Sequence, residues 1–583
     1  MRYPGVRFNF GCARGRARRG WLVAVAAIAL GPAALFSQSV QHLGTTQPGG
    51  MPGLPVMGGI ERLTNGVEIT WDGPSGYYQV DQRSNSFGAP WVALGGATNL
   101  ARCAVITRIY SNAFFRVSGP APNFAGQKVC ITCHGSICSF ETNTLHASAF
   151  TSAAFKACGG QTNPSCLPCH TVGYGLPTGF NLTNKGGFFT YSTNLAGVQC
   201  ENCHGPAANH ANASDDPTLV PQVEIAATVC GGCHTGPMQP TYDEWKTSGH
   251  ATVVPDALET MASSTNNIRS CGVCHSGSAR LALIGGADPA ITLTNDYDVA
   301  IACAVCHDPH ETNANPAQLR GPPASTNEFE LLSADTASLA AFTNKYNAST
   351  NVNLCAQCHN DRGAAWTDTA SAPHGSLQYN FLLGSIGELE TGPATFNPGS
   401  HAGLPSSAIY SVSGTFYLTN QCVACHMPAD AAPATTISHA FAPGYNVCVN
   451  CHDPQAALAA LTPDVSNQVA AVIFLLNRWA ADQAPAALLT NGVVPWEYTT
   501  PGGLTWQTNA SGDVTSWSLS NPVTFTGPNP AAQNVLTNYP GILKARFDLY
   551  LVLNDGSFGA HNPAFAIGLL YAAQDFVIQE LEK

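Results

Sequence analysis

The string Cys-x-x-Cys-His is written nine times between Cys130 and His452, and no other feature constrains the fold so tightly. It occurs at Cys130–Cys133–His134, Cys166–Cys169–His170, Cys200–Cys203–His204, Cys230–Cys233–His234 and Cys271–Cys274–His275. It returns at Cys303–Cys306–His307, Cys355–Cys358–His359, Cys422–Cys425–His426 and Cys448–Cys451–His452. Structural zinc also uses Cys-x-x-Cys pairs, but it does not need a His directly after the second thiol. Every pair here has one, in a chain where His makes up only 18 of 583 residues, so chance does not explain the pattern. The chemistry that requires this order is covalent haem attachment: two thiols bond the porphyrin vinyl groups and the adjacent imidazole takes the iron. The expected load is nine haem c, with the nine motif histidines as proximal ligands. A motif about every 36 residues leaves too little peptide to bury a core of its own. The porphyrins must supply the apolar filling, and short helices at the motifs joined by long loops are expected.

Residues 1–19 carry Arg2, Arg7, Arg14, Arg16, Arg18 and Arg19 and no acid, and the apolar run Trp21 to Phe36 and then Ser37-Gln38-Ser39 follow. That is the layout of a signal peptide over 1–39, removed on export to a periplasm or the cell exterior. The run is short for a bilayer span and is broken by Gly31-Pro32. No later stretch reads as long and apolar enough either, so no transmembrane anchor is expected in the mature chain. Removing the leader leaves 18 basic residues against 36 acids, a formal charge of −18, which excludes nucleic acid as a partner.

A flexible linker over 40–53 leads into a segment, 54–119, that alternates in the manner of short strands. Gly66-Val-Glu-Ile-Thr-Trp71, Tyr77-Tyr-Gln-Val-Asp81 and Phe114-Phe-Arg-Val117 are its clearest runs, separated by Gly/Pro turns, and a small β-sandwich is expected. The region 123–454 holds the motifs. From 455 to 583 the pattern turns helical: an amphipathic helix from Pro463 to Ala481, a loop-rich insertion to Asn529, helix from Pro530 to Leu553 broken near Pro540, and a last helix from Pro563 to Glu580. A helical cap packed on the haem array is expected there.

Several strings resemble known families. Cys130-Ile-Thr-Cys-His, Leu145-His-Ala147, Cys166-Leu-Pro-Cys-His-Thr-Val-Gly-Tyr174 and Gly197-Val-Gln-Cys-Glu-Asn-Cys-His-Gly-Pro206 resemble the cytochrome c-554 family of multihaem electron carriers. The likeness covers about 128–234. Trp245-Lys-Thr-Ser-Gly-His250 resembles that family's distal-ligand element. Asp555-Gly-Ser-Phe-Gly-Ala-His-Asn-Pro563 resembles the C-terminal element of the pentahaem nitrite reductase and hydroxylamine oxidoreductase group, where the His ligates a haem. The 54–119 segment looks like an abbreviated fibronectin type III or immunoglobulin-like module. The chain lacks the Cys-x-x-Cys-Lys motif of the pentahaem reductases, which argues against nitrite reduction by their scheme.

Low-spin haem needs a second axial ligand. His146, His210, His250, His310, His374, His401, His439 and His561 are the candidates, on the resemblance and on the scarcity of His elsewhere. His42, just after the leader, is left out of the set. Nine irons and eight distal candidates leave one face open. Resemblance to the second c-554 haem places that face at His170, the candidate catalytic centre. Met261 is the one well-placed Met inside the haem region, with packing the simpler role. Cys138 and Cys158 flank a loop and are a candidate disulfide, two packed thiols being the alternative.

The function expected is electron transfer between redox partners through mostly bis-His haems. One alternative is a multihaem oxidoreductase of a small nitrogen or sulfur compound, of the hydroxylamine, nitrite or tetrathionate type. Another is a filament-forming extracellular cytochrome.

Overall fold

Seven antiparallel strands open the chain: β1 (Val23–Ala29), β2 (Val56–Leu63), β3 (Gly66–Asp72), β4 (Tyr77–Ser84), β5 (Val92–Thr98), β6 (Cys103–Ile106) and β7 (Asn112–Ser118). The structure is a computed structural model that describes Val23–Ala29 and, with interruptions, 56–583. The longer stretches outside the description are 1–22, 30–55, 252–260, 321–353, 402–407, 429–436, 489–494 and 520–529, so most of the expected leader, the linker and His42 lie there, as does Cys451. The chain divides into two units, Met1–Cys233 and His234–Lys583, a division that falls inside the fourth motif.

In the first unit the strands form a three-stranded sheet, β2-β3-β6, and a four-stranded sheet, β1-β7-β4-β5. Side chains two residues apart point to one face of a strand. Ile69 with Trp71, and Phe115 with Val117, are buried on that period, together with Val80. Arg116 joins Asp81 across the β4–β7 ladder at 2.7 Å, and its guanidinium lies 4.6 Å from the Trp91 ring. The segment Val23–Ala29, inside the stretch that the sequence reads as a leader, pairs as an edge strand with β7, Val23 opposite Ser118.

After the strands, α1 (Gln127–Glu141) carries the first motif and bends at His134, whose backbone leaves helical geometry. Short helices Leu167–His170 and Cys200–His204 carry the second and third. Phe150, Phe155, Leu167, Val172, Phe180 and Leu195 cluster with Phe124 around the second motif. Their rings meet edge to face, Phe150 lying 5.6 Å from Phe180 and 5.3 Å from Tyr191, the geometry favoured by the ring quadrupole. Of the two alternatives for Cys138 and Cys158, the structure has no bond between them: Cys138 is buried and Cys158 Sγ donates to the Phe155 carbonyl at 3.2 Å.

The second unit is built on three long helices, α2 (Pro454–Asp482), α3 (Pro540–Asp555) and α4 (Pro563–Leu581). Sequence reasoning started the first of these at Pro463. The helix instead begins nine residues earlier, because Asp453 caps it by accepting from the Gln455 and Ala456 amides, and it runs on through Pro463. Val465, Val469, Val472, Ile473, Leu476 and Trp479 share one core with Leu549, Phe565, Leu569 and Ala573, which also takes in Phe381 of the short helix Gln378–Leu383 and its N-cap Leu377, after the seventh motif. The insertion between α2 and α3 contains a hairpin, Leu504–Thr508 with Val514–Leu519. Two of the long helices, Pro454–Asp482 and Pro563–Leu581, are long and apolar enough to cross a membrane by length and composition. That corrects the expectation that no such stretch follows the leader. Both contribute the buried side chains of the core just described.

Candidate haem-binding sites

A helical turn explains the motif. Residues i, i+3 and i+4 share one helix face, so Cys, Cys and His project together. The helices Leu167–His170, Cys200–His204, Cys303–Cys306 and Gln421–His426 all present part of a motif in this way.

The residues between the thiols hold the third motif in place. Glu201, buried, accepts from the amides of Ala125 at 3.0 Å, Gly126 at 2.8 Å and Ala207 at 2.7 Å. Asn202 accepts from the Gln199 amide and donates to the Thr171 carbonyl at 3.0 Å. One pair of x-x residues therefore ties the first, second and third motif segments together. Sequence reasoning gave these two no role. Their signal was the specificity of the Cys-Glu-Asn-Cys-His-Gly-Pro string itself. Gly126, at φ 83°, cannot carry a side chain, since a Cβ there would stand 2.8 Å from the Asn194 carbonyl oxygen.

Five motif histidines in the second unit face a second imidazole. Ring centres are 5.9 Å apart for His275 and His374, 6.2 Å for His452 and His401, and 6.2 Å for His426 and His561. They are 6.3 Å apart for His359 and His250 and for His307 and His439. A metal–imidazole bond of about 2 Å on each side, plus about 1 Å from nitrogen to ring centre, requires about 6 Å. These residues therefore fit a shared iron. The partners come from far along the chain, which motif spacing does not reveal.

Hydrogen bonding selects the ligating nitrogen. Nδ1 meets a carbonyl oxygen in His170 (Ala149, 3.0 Å), His307 (Ala317, 2.8 Å), His426 (Phe441, 3.0 Å), His439 (Ile437, 2.9 Å), His401 (Ala560, 2.6 Å) and His452 (Asp453, 3.3 Å). His359 uses Gln378 Oε1 and His374 uses Ser376 Oγ, whose own proton goes to the Asn360 carbonyl. His561 uses Asp555 Oδ1 at 2.6 Å. In each, Nδ1 carries the proton and Nε2 is left to bind metal. Burial pushes His250, His307 and His374 down to about 4, so these imidazoles are neutral, as ligands must be.

Phe441 sits among these ligands in the left-handed region at φ 54°. Its carbonyl orients His426, and its ring meets His250 at 4.4 Å and His439 at 6.0 Å. Holding a non-glycine residue in that conformation costs of order 1 kcal/mol or more, which the surrounding contacts offset.

The other expected second ligands lie as follows. His146 is on the short helix Leu145–Ser148, capped by Thr144. His210 is on Ala208–Asn212 with its Nδ1 buried and unpaired. His310 follows the sixth motif, its amide bonded to Asp308. His170 differs from the five paired histidines: among the described residues its ring contact is Phe155, stacked at 4.0 Å and 18°. Met261 is buried with Ile268, Ala279, Leu293 and Val299, a packing position.

Thiols of different motifs also meet. In the first unit Cys130 is hydrogen-bonded to Cys200, and Cys169 to Cys233, on which Cys203 acts electrostatically. In the second, Cys274 is hydrogen-bonded to Cys358 and Cys355 to Cys422. Cys306 and Cys355 interact electrostatically, as do Cys425 and Cys448. These thiols stand in for thioether sulfurs.

Residues 129–205 match the family described as cytochrome c554 and c-prime, and 417–457 match the doubled CXXCH motif family. No curated protein matches the chain. Among solved structures, an undecaheme cytochrome from the S-layer of Carboxydothermus ferrireducens is similar at 21% identity and a TM-score of 0.47, over 79% of this chain and 70% of that one. The outer cell wall cytochrome OcwA is similar at 19% identity and a TM-score of 0.45, over 78% of this chain and 99% of that one. With haem-attachment families matched in two separate parts of a chain that repeats their motif from Cys130 to His452, the protein is a multihaem c-type cytochrome.

Proposed function

We propose that the chain carries nine covalent haem c and passes electrons along them between redox partners outside the cytoplasm. The observation that carries this reading is the contact between thiols of different motifs. Bound haem supplies a one-electron ferric/ferrous couple. Cys355 of the seventh motif is hydrogen-bonded to Cys422 and Cys358 to Cys274, while Cys306 of a third motif acts on Cys355 and Cys358 electrostatically. Residues that anchor porphyrins so closely hold them within tunnelling reach, and the seventh motif becomes a branch point. Paired imidazoles such as His275 with His374 would hold a bound haem iron from both sides in either redox state, so little would reorganise when an electron arrived. The basic, apolar leader and the need to attach haem beyond the cytoplasm support export. The two N-terminal sheets fit a fibronectin type III-like module that spaces or tethers the haem region.

Intact mass after denaturation tests the load. It should exceed the mature polypeptide by nine haems, and a deficit of three or more refutes the reading.

A second reading keeps one haem for catalysis on a small nitrogen or sulfur compound. It is favoured by His170, whose ring partner is Phe155 in place of an imidazole. A high-spin ferric signal in the electron paramagnetic resonance (EPR) spectrum of the oxidised protein, lost when His170 is replaced, supports it. An entirely low-spin spectrum removes it.

A further inference from the structure

The pair His426–His561 is set apart by its surroundings. Of the nine Nδ1 contacts described, six are to backbone carbonyls and two to neutral side chains, and His561 alone meets a carboxylate, Asp555. Asp555 has a side chain with no exposed surface. The Ser557 hydroxyl donates to its other oxygen, so both carboxylate oxygens are engaged and the group is fixed. Asp555 is also the last residue of α3, where the helix dipole is negative, and Gly556 at φ 70° turns the chain back to bring His561 against it. Carboxylate and dipole therefore act in the same sense on one imidazole.

We propose that Asp555 is a positioning and tuning residue that makes the eighth-motif haem the lowest in potential among the haems of the second unit. An anionic acceptor draws the Nδ1 proton and raises the donor strength of Nε2. A stronger donor and a nearby negative charge both favour ferric over ferrous iron. One electron converts ferric to ferrous, and the proton stays shared between Nδ1 and Oδ1. The neutral carbonyl of Phe441 on the opposite ligand, His426, exerts no comparable pull. Cys422 is hydrogen-bonded to Cys355 of the seventh motif and Cys425 interacts electrostatically with Cys448 of the ninth, so the low-potential position stands between them. Electrons then cross an uphill step to reach or leave the ninth haem. This inference rests on reading His426 and His561 as axial ligands of one iron.

The test uses the full-length holoprotein in a potentiometric titration followed by EPR. Asp555→Asn keeps an acceptor for Nδ1–H and removes the charge. One low-spin signal should then reduce at a higher potential, with the remaining haems unmoved. Ser557→Ala removes the competing donor to Asp555 and should move the same signal lower. Unchanged potentials in either folded variant, or a uniform shift of all haems, overturn the role of Asp555. His561→Ala tests the ligand reading separately. It should convert one low-spin signal to high-spin, and a spectrum that stays low-spin overturns the axial pair and not the carboxylate effect.

Discussion

Glu497 offers a quantitative test of the C-terminal core. It is 2% exposed, and its Oε2 meets no hydrogen-bond partner. The nearby Arg546 gives no relief, because its guanidinium donates to the carbonyls of Trp496 and Glu497 and to Gln533 Oε1. Burial alone pushes the Glu497 carboxyl from 4.5 up to about 8. The folded state therefore binds this proton more tightly than the unfolded chain does. The stability it contributes is complete below pH 4.5, declines as pH rises through the interval, and is lost above about 8. At about 1.4 kcal/mol per pH unit, the two limits differ by on the order of 5 kcal/mol. Glu497→Gln keeps the shape without the ionisation. Its buried amide adds a constant cost of about 1–3 kcal/mol that shifts the stability curve without tilting it. Wild type and variant are compared by guanidinium unfolding, read in near-ultraviolet circular dichroism, at matched pH between 5 and 8.5. Haem ligands titrate equally in both and cancel. The wild type should lose stability relative to the variant as pH rises. Parallel curves refute the reasoning.

Two further outcomes are expected. Replacing His374 by Ala should leave the fifth-motif iron with His275 alone, adding one high-spin signal to the EPR spectrum; an unchanged spectrum means the 5.9 Å pair is not an axial pair. A chain starting near Pro122 behind a supplied signal peptide should mature with its full haem content, because every motif follows the N-terminal strands; loss of haem in that chain makes the strands integral to the fold.

The motif cysteines and histidines were legible because the motif is local: three residues on one helical turn announce themselves in five letters. The pairing of imidazoles was not, since His275 meets His374 and His426 meets His561 only across long separations in sequence. The eight candidates could be named from scarcity, but not matched. Pro463 misled the helix boundary, because a proline signal is read locally while the cap at Asp453 and the buried faces of Val465 and Val469 determine where the helix persists. Glu201, Asn202 and Asp555 were all visible within quoted strings. Their work depends on backbone amides and an imidazole that only the folded chain brings near. The buried ionisable residues Glu497 and Arg546 carry no sequence signature at all, since charged residues are ordinarily exposed.

The order of the paired histidines has a consequence for biogenesis. A chain that emerges amino terminus first delivers His250 before His359 and His401 before His452. For these the second ligand already waits when the motif is loaded. The reverse holds for His275, His307 and His426, whose partners His374, His439 and His561 lie downstream. Were these pairs axial, those three irons would pass through a stage with one protein ligand, exposed to whatever small molecules surround the nascent protein. The eighth motif waits longest, until nearly the last helix has been delivered. Closure of that final loop over His426 would then act as the quality check on a finished molecule.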